Sequence, residues 1–330
     1  VVGHTAYGSG SLLAVRYNPD GSLDSGFGNG GITTTSNVPD HVGAGAFGVA
    51  LQADGKIVAV GTSAQIGRQD MLIVRYNTDG SLDSGFGNGG MVVSSLSSNF
   101  SQGIGVVVLA DGRILISGST QVGSNLDLLL LRYLADGSLD SSFGNAGVVT
   151  TDFNGGMDIG TRLLVQPDGK IVVAGYGDNG ATTDSLLARY NADGSPDLSF
   201  GIGGKVSAHF GTGQDQSFSV ALANDGKLLT TGMATIGNAR QLTVLRYQAD
   251  GTLDSGFGVG GVTRHVYTGS ESQGTMVVVQ DDGRIVVGGF AQSETDFDFT
   301  AVRFNVDGSL DSRFGSPTYI ENGTAVVLDA

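Results

Sequence analysis

The sequence predicts an all-β chain folded as a six-bladed β-propeller with four antiparallel strands per blade, and three observations carry that prediction. The stretch RYNTDGSLDSGFGNGG, Arg75 to Gly90, recurs in close copies beginning at Arg16, Arg132, Arg189, Arg246 and Arg303. Successive copies lie 59, 57, 57, 57 and 57 residues apart, a period that marks supersecondary units able to bury their apolar faces only against one another. Each period holds four β-rich runs, and no run of any length has helical periodicity.

In the second copy the four runs are GVALQA (Gly48 to Ala53), KIVAVG (Lys56 to Gly61), MLIVRYN (Met71 to Asn77) and MVVSSL (Met91 to Leu96). The first two are joined at Asp54-Gly55, a dipeptide that predicts a two-residue type I′ hairpin because glycine tolerates positive φ. The same hairpin is expected at Asp111-Gly112, Asp168-Gly169, Asp225-Gly226 and Asp282-Gly283. Runs such as DLLLLRY (Asp127 to Tyr133) are apolar at consecutive positions, the pattern of a strand buried on both faces. A β-helix needs shorter rungs and an eight-stranded barrel needs no such period, so propeller blades fit best. The chain ends with TAVVLDA (Thr324 to Ala330), which resembles a first strand, and begins with VVG, which resembles the end of a second strand. The expectation is one domain, 1–330, whose ring is closed by the C-terminal strand joining the N-terminal blade, 324–330 completing the blade begun at 1–36. After Phe314-Gly315 the final repeat is shortened, so its outer strand is the least defined by pattern.

Bulk composition narrows the function. The net charge of -15 argues against nucleic acid and anionic membrane surfaces, which both want clustered Lys and Arg. No apolar run approaches the roughly 18 residues needed to span a bilayer, so no direct membrane insertion is expected. With no cysteine there is no disulfide framework, thiolate nucleophile or Cys-based zinc site. The 56 glycines recur at fixed places beside the β-rich runs and read as turns rather than as low complexity. The N-terminus has no basic segment followed by an apolar core and begins in mid-repeat, which suggests a portion of something longer.

In the repeated motif, an arginine that follows an apolar run needs a partner for its charge. Structural ion pairs are expected between Arg16 and Asp24, Arg75 and Asp83, Arg132 and Asp140, Arg189 and Asp197, Arg246 and Asp254, and Arg303 and Asp311, with Asp79 as the other candidate acceptor for Arg75. Phe86 is expected to plug apolar space between blades. Asn77, Asp79 and Asp83 also stand at a spacing loosely like a calcium loop, but the full acidic ladder and distal Glu are missing. No cofactor is therefore expected, with calcium at these loops as the one alternative.

The copies of R-Y-x-x-D-G-S-L-D-x-x-F-G, with Q-x-D-G-K-I-V-V-x-G between them, resemble the bacterial delta-60 repeat family over essentially the whole chain. Pro196 in DGSPD, Thr252 in DGTLD and the short final repeat depart from the pattern. The resemblance implies a propeller-type repeat within a bacterial secreted or cell-surface protein, and it brings no catalytic residues.

A site for one ligand must break sixfold symmetry, so function is expected where the copies differ: in the loops joining strands two and three and in those joining blades. Of the 32 acidic residues, 15 lie outside the motifs and hairpins, against 6 of the 17 basic ones, so this variable part is acidic. Asp70, Asp127, Asp184 and Asp298 each stand five residues before a motif arginine and are candidate ligand contacts, with strand-end capping in solvent as the plainer role. Among the interleaved aromatics Tyr7, Phe100, Phe153, Tyr176, Phe210, Tyr267 and Phe297, the residues Phe100, Phe153 and Tyr176 are candidates for stacking on sugars, against a plainer role covering blade edges. His4, His41, His209 and His265 are not at metal-ligand spacing, and neither H-E-x-x-H nor G-x-S-x-G occurs. The expected function is a non-enzymatic binding or scaffold module, monomeric as an isolated domain, that recognises a protein or glycan. The alternative is a carbohydrate-active hydrolase or lyase with its site in the central channel.

Overall fold

The structure is a computed structural model, and it describes residues 1–5, 10–36, 38–267, 271–293 and 296–315. These form six sheets of three or four antiparallel strands, with no α-helix among the described residues. The chain divides into two compact units, Val1–Leu163 with Ala192–Ser195, and Leu164–Asn191 with Pro196–Ala330.

In the first unit, strands β1 (Val2–His4), β2 (Leu12–Val15) and β3 (Ile32–Thr35) form one sheet. A second holds β4 (Gly43–Leu51), β5 (Ile57–Gln65), β6 (Arg68–Tyr76) and β7 (Met91–Ser94), and a third holds β8 (Ser101–Val108), β9 (Ile114–Val122), β10 (Asn125–Tyr133) and β11 (Val148–Thr151). Strand β12 (Asp158–Val165) runs across the division. The second unit contains β13 (Ile171–Asp178), β14 (Thr183–Tyr190) and β15 (Lys205–Ala208). It continues with the sheet of β16 (Asp215–Leu222), β17 (Leu228–Ile236), β18 (Ala239–Tyr247) and β19 (Val262–His265), and ends with β20 (Ser272–Val279), β21 (Ile285–Gln292) and β22 (Phe297–Phe304). Within each sheet the strands pair with their sequence neighbours. The expected closing strand, 324–330, lies outside the described residues.

The hairpins differ from expectation. Gln52 N–H bonds to Lys56 O at 2.8 Å and Gly55 N–H to Gln52 O at 2.9 Å, while only Gly55, at φ 83°, is left-handed. That is a three-residue loop, a type I turn closed by a glycine bulge, and not a type I′ turn, which needs positive φ at both central residues. Asp54 instead accepts the Lys56 N–H on its side chain at 3.1 Å.

Consecutive apolar residues point alternately to two neighbours, as strands buried on both faces require. From β6, Leu72, Val74 and Tyr76 pack with Leu12 and Ala14 of the preceding sheet. Met71 and Ile73 pack with Ile114, Ile116, Leu129 and Leu131 of the following one. Fully burying side chains of this size is worth about 1.5–3 kcal/mol each. In the second unit, Leu228 and Leu245 face Val172 and Leu187, whereas Leu229 and Val244 face Ile285 and Val302.

The motif fastens one repeat to the next. Arg75 Nε donates to Asp83 Oδ2 at 2.7 Å, and its Nη1 reaches forward to the backbone carbonyl of Ala135 at 2.5 Å. The guanidinium lies 4.4 Å above the centre of the buried Phe86 ring. Gly87 N–H donates to Asp136 O at 2.8 Å, a second bond into the following repeat. The same forward reach joins Arg132 to Ala192 O at 2.6 Å and Arg189 to Ala249 O at 2.6 Å, and links Arg16 to Thr78 and Arg246 to Val306. Arg303 pairs with Asp311 at 2.9 Å. The neighbouring tyrosine reaches backward: Tyr76 shares a 2.6 Å hydrogen bond with Thr35, and Tyr133 one of the same length with Ser94. Asp79 stays out of the ion pair and accepts the Ser81 N–H and Oγ–H at 2.9 and 2.6 Å.

From the second copy onward each motif aspartate also receives the basic residue of its hairpin: Lys56 to Asp83 at 3.0 Å, Arg113 to Asp140 at 3.7 Å, Lys170 to Asp197 at 2.8 Å, Lys227 to Asp254 at 3.0 Å and Arg284 to Asp311 at 3.6 Å. Burial pushes the Asp83 carboxyl up, but Lys56, the Gly85 N–H and Arg75 together hold it below the usual carboxylate range. Asp197 and Asp254 are lowered in the same way.

Two predictions follow from this fastening. Arg75→Ala leaves Asp83 largely buried beside a lost bond to the next repeat, and should destabilise the protein by about 3 kcal/mol in urea denaturation; Arg75→Lys should recover only part of that, because an ammonium cannot bond both acceptors in the fork geometry. Stability should also fall at both ends of the pH scale. Motif carboxyls with lowered folded pKa contribute fully above their unfolded pKa of about 4, and that contribution is lost as pH falls below it. Burial pushes the Tyr76 phenol up to about 12, so its contribution is complete below the unfolded pKa of about 10 and is lost as pH rises from there toward 12. Melting temperature against pH reads both arms.

Candidate functional site

A cavity of about 460 Å³ opens at the loop end of the first unit, lined by His4, β4 residues Gly43 to Gly45 and Phe47, Thr62 and Ala64 of β5, Gly67 to Gln69, and Asn99 and Phe100. Its floor is bare because small residues face each other across the ladder, Gly43 opposite Ala64 and Gly45 opposite Thr62. Phe47 sits at a β-bulge, where the register shifts between Ala46 and Gly48. A bulge leaves its residue unpaired and re-aims the side chain, and Phe47 is 44% exposed. The equivalent bulges hold Ile104, Phe218 and Thr275, so this position differs among the copies.

The rim is fixed by hydrogen bonds. Gln69 N–H donates to Asn99 O at 2.8 Å, which brings the tight turn before β6 against the segment carrying Phe100. Ser97 Oγ accepts the Phe100 N–H at 3.0 Å. Arg68 Nε donates to Asp70 Oδ1 at 2.8 Å, and His41 Nε2 lies 3.2 Å from Asp70 Oδ2. Burial raises the Asp70 pKa, but Arg68, His41 and Ser95 outweigh it and leave the carboxyl lowered. The cavity thus presents two phenyl faces, amide and imidazole groups, and an arginine whose charge is already matched.

The sequence-derived candidates separate here. Phe100 lines the cavity, and Asp70 lies beneath its rim, 1% exposed rather than capping a strand end in solvent. Asp127 and Asp184 are likewise buried, at 9% and 8%. Tyr176 stacks edge-on against Phe218 with centroids 5.9 Å apart. Phe153 is half-buried and donates its N–H to Asp158 Oδ2 at 2.8 Å, while Asp298 is half-buried on β22. Phe210 and Tyr267 are half-buried and Phe297 is exposed; Tyr7 lies outside the described residues. At the Asn77, Asp79 and Asp83 loop, Asn77 Nδ2 donates to Ser81 Oγ at 3.0 Å and Asp83 is engaged by Arg75 and Lys56.

Sequence reasoning did not single out Phe47, Arg68, Gln69 or Asn99 as cavity residues; an aromatic inside the Gly–Ala run GAGAFGVA is the signal that marks Phe47. It also passed over Asp215. His209 Nδ1 lies 3.1 Å from both Asp184 Oδ1 and Asp215 Oδ2, with its ring 45% exposed. Asp215 is wholly buried and accepts the N–H groups of Phe210 and Gly211 at 2.8 and 2.9 Å. Burial dominates those bonds and raises its carboxyl above the usual range.

Six segments, 1–27, 52–86, 109–143, 166–200, 223–257 and 280–314, match the family described as "Domain of unknown function (DUF5122) beta-propeller", and they make up more than half of the chain. The chain belongs to this β-propeller family. Among curated proteins none matches it in sequence. Of solved structures, a protein from Lactobacillus plantarum is similar at 13% identity and a TM-score of 0.53, over 91% of this chain and 80% of that one. A gluconolactonase from Xanthomonas campestris is similar at 13% identity and a TM-score of 0.41, over 94% and 83%. An ulvan lyase, described as a new family of polysaccharide lyase, is similar at 11% identity and 0.45, over 94% and 81%. Identities this low speak to fold alone.

Proposed function

We propose that the chain is a non-enzymatic binding module of a bacterial secreted or surface protein, and that it holds a segment of neutral glycan in the cavity walled by Phe47 and Phe100. The observation that carries this is the pairing of two accessible phenyl faces with a Gly–Ala floor and a polar rim. Sugar rings offer flat C–H faces for aromatic stacking and hydroxyls for amide and imidazole groups, and they need no counter-charge. Arg68 fits that composition because Asp70 already neutralises it. The finer form of the fold belongs to the same proposal: a delta-60-type ring of six blades closed through 324–330, with the motif loops as fasteners and the differing loops as the recognition surface.

A second reading, a carbohydrate-active hydrolase or lyase, is favoured by one observation. The His209 imidazole is gripped at Nδ1 by two carboxylates with its ring half-exposed, an arrangement suited to proton transfer.

A glycan array with the whole chain, followed by titration calorimetry on its hits, separates these readings. Binding should weaken at least tenfold in both Phe47→Ala and Phe100→Ala and stay unchanged in His209→Ala. Silence on the array, or hits indifferent to both phenylalanines, overturns the cavity reading; products released from a glycan by wild type and lost in His209→Ala establish the second.

A further inference from the structure

Among the described residues, every arginine but one has an acceptor for its charge. The six motif arginines hold their aspartates. Arg68, Arg113, Arg240, Arg284 and Arg313 face carboxylates, and Arg264 donates to the Phe210 carbonyl at 3.2 Å. The exception is Arg162 on β12, whose guanidinium makes no hydrogen bond or ion pair among the described residues.

Nor is Arg162 free in water. It is half-buried, and burial pushes its pKa down with no partner to oppose the shift, whereas Asp111 and Asp140 push that of Arg113 up. A lysine or histidine so placed could shed its proton. A guanidinium cannot, so the cost of desolvating its charge persists until an anion arrives.

The fold itself does not ask for a charge here. Arg162 stands six residues before the hairpin residue Asp168, and the same position in other repeats holds Gly48, Gly105, Ser219 and Met276. A second unused donor lies close by. A side chain at Gly105 of β8 would meet Thr161 O at 2.9 Å and Arg162 Cα at 3.1 Å, so β8 and β12 pass each other at backbone distance. Ser117 Oγ of β9 meets the same point, wholly buried and without a hydrogen-bond partner among the described residues. An unused hydroxyl therefore stands beside the strand that carries the unused guanidinium.

We propose that Arg162 is an anion site that takes the carboxylate of a ligand of the sugar-acid type, its planar fork holding both oxygens. A bidentate guanidinium–carboxylate pair is among the strongest hydrogen-bonded contacts, and it satisfies the fork geometry as well as the charge. A monoanion is the match for one unmatched positive charge. A phosphate dianion would leave a second negative charge uncompensated in a chain of net charge -15. Arg162 does not line the cavity walled by Phe47 and Phe100, so the site is independent of the glycan reading above.

The test is thermal melting and calorimetric titration of the whole chain at pH 7 with sodium glucuronate, against glucose and against sodium chloride of equal ionic strength. Wild type should bind one glucuronate saturably and melt higher in its presence, with glucose inert. Arg162→Met, which copies Met276 of the last repeat, should bind glucuronate at least tenfold more weakly. Without ligand it should melt at or above wild type, because an unpaired desolvated charge has been removed; Arg162→Lys should bind at an intermediate level, keeping the charge and losing the fork. No saturable response of wild type to glucuronate overturns the site, and so does binding retained in Arg162→Met. Ligand-free Arg162→Met melting below wild type overturns it too, since the guanidinium would then be stabilising the fold. Tighter binding of sodium phosphate than of glucuronate overturns the assignment to a carboxylate.

Discussion

The constraint on which the rest depends is the placing of one guanidinium per repeat at the end of a strand buried on both faces. A charge there is costly unless every donor is used. Arg75 spends its donors on Asp83 within its own repeat and on the Ala135 carbonyl in the next, and its flat face on Phe86. The contact that satisfies the charge is therefore the contact that joins two repeats. Glycine completes it: Gly137 of the following repeat has φ 91°, and a Cβ there would meet Val92 Cγ2 at 2.9 Å, the Phe86 ring at 3.0 Å and the Gly87 nitrogen at 3.1 Å. The turn sequence Asp-Gly-Ser is thus fixed both by its own conformation and by the aromatic ring seated on it.

The Arg–Asp–Phe fastening sits at one end of the strands, and positions away from it are released from that chemistry. Bulges midway along β4, β8, β16 and β20 present Phe47, Ile104, Phe218 and Thr275. Such positions change without disturbing the latch, because the bulged residue takes no part in the ladder. The ladder position just beyond β11 and β15 behaves likewise, Asp152 in one sheet and His209 in another. Variation there alters local charge while the sheet beneath keeps its packing.

The repeat made the sheets and the Arg–Asp–Phe motif readable, because sixfold copying separates what the fold demands from local accident. The role of the hairpin Lys and Arg was not readable, since Lys56 and Asp83 are far apart in sequence and meet only when two turns lie side by side. The type I′ expectation failed for a related reason: Asp-Gly suits either a two-residue loop or the end of a three-residue one, and the bond from Gln52 to Lys56 decides between them. Phe100 could be picked out as an aromatic in a linker. The cavity could not, because its floor is made by missing side chains at Gly43 and Gly45 and its second wall by a bulge. Asp127 was legible as a strand-start acid, but its burial was not, because a strand-start acid is expected in solvent.

The Phe ring of one motif and the turn glycine of the next form a single fastening. A double-mutant cycle of Phe86→Leu and Gly137→Ala, read by urea denaturation, measures it directly. The ring is one of the groups that crowd a side chain at Gly137, so removing it should relieve part of the cost of the glycine substitution, and the two losses should fall short of additivity by about 1 kcal/mol. Losses that add to within about 0.5 kcal/mol would contradict the account, since the two residues would then stabilise their repeats independently.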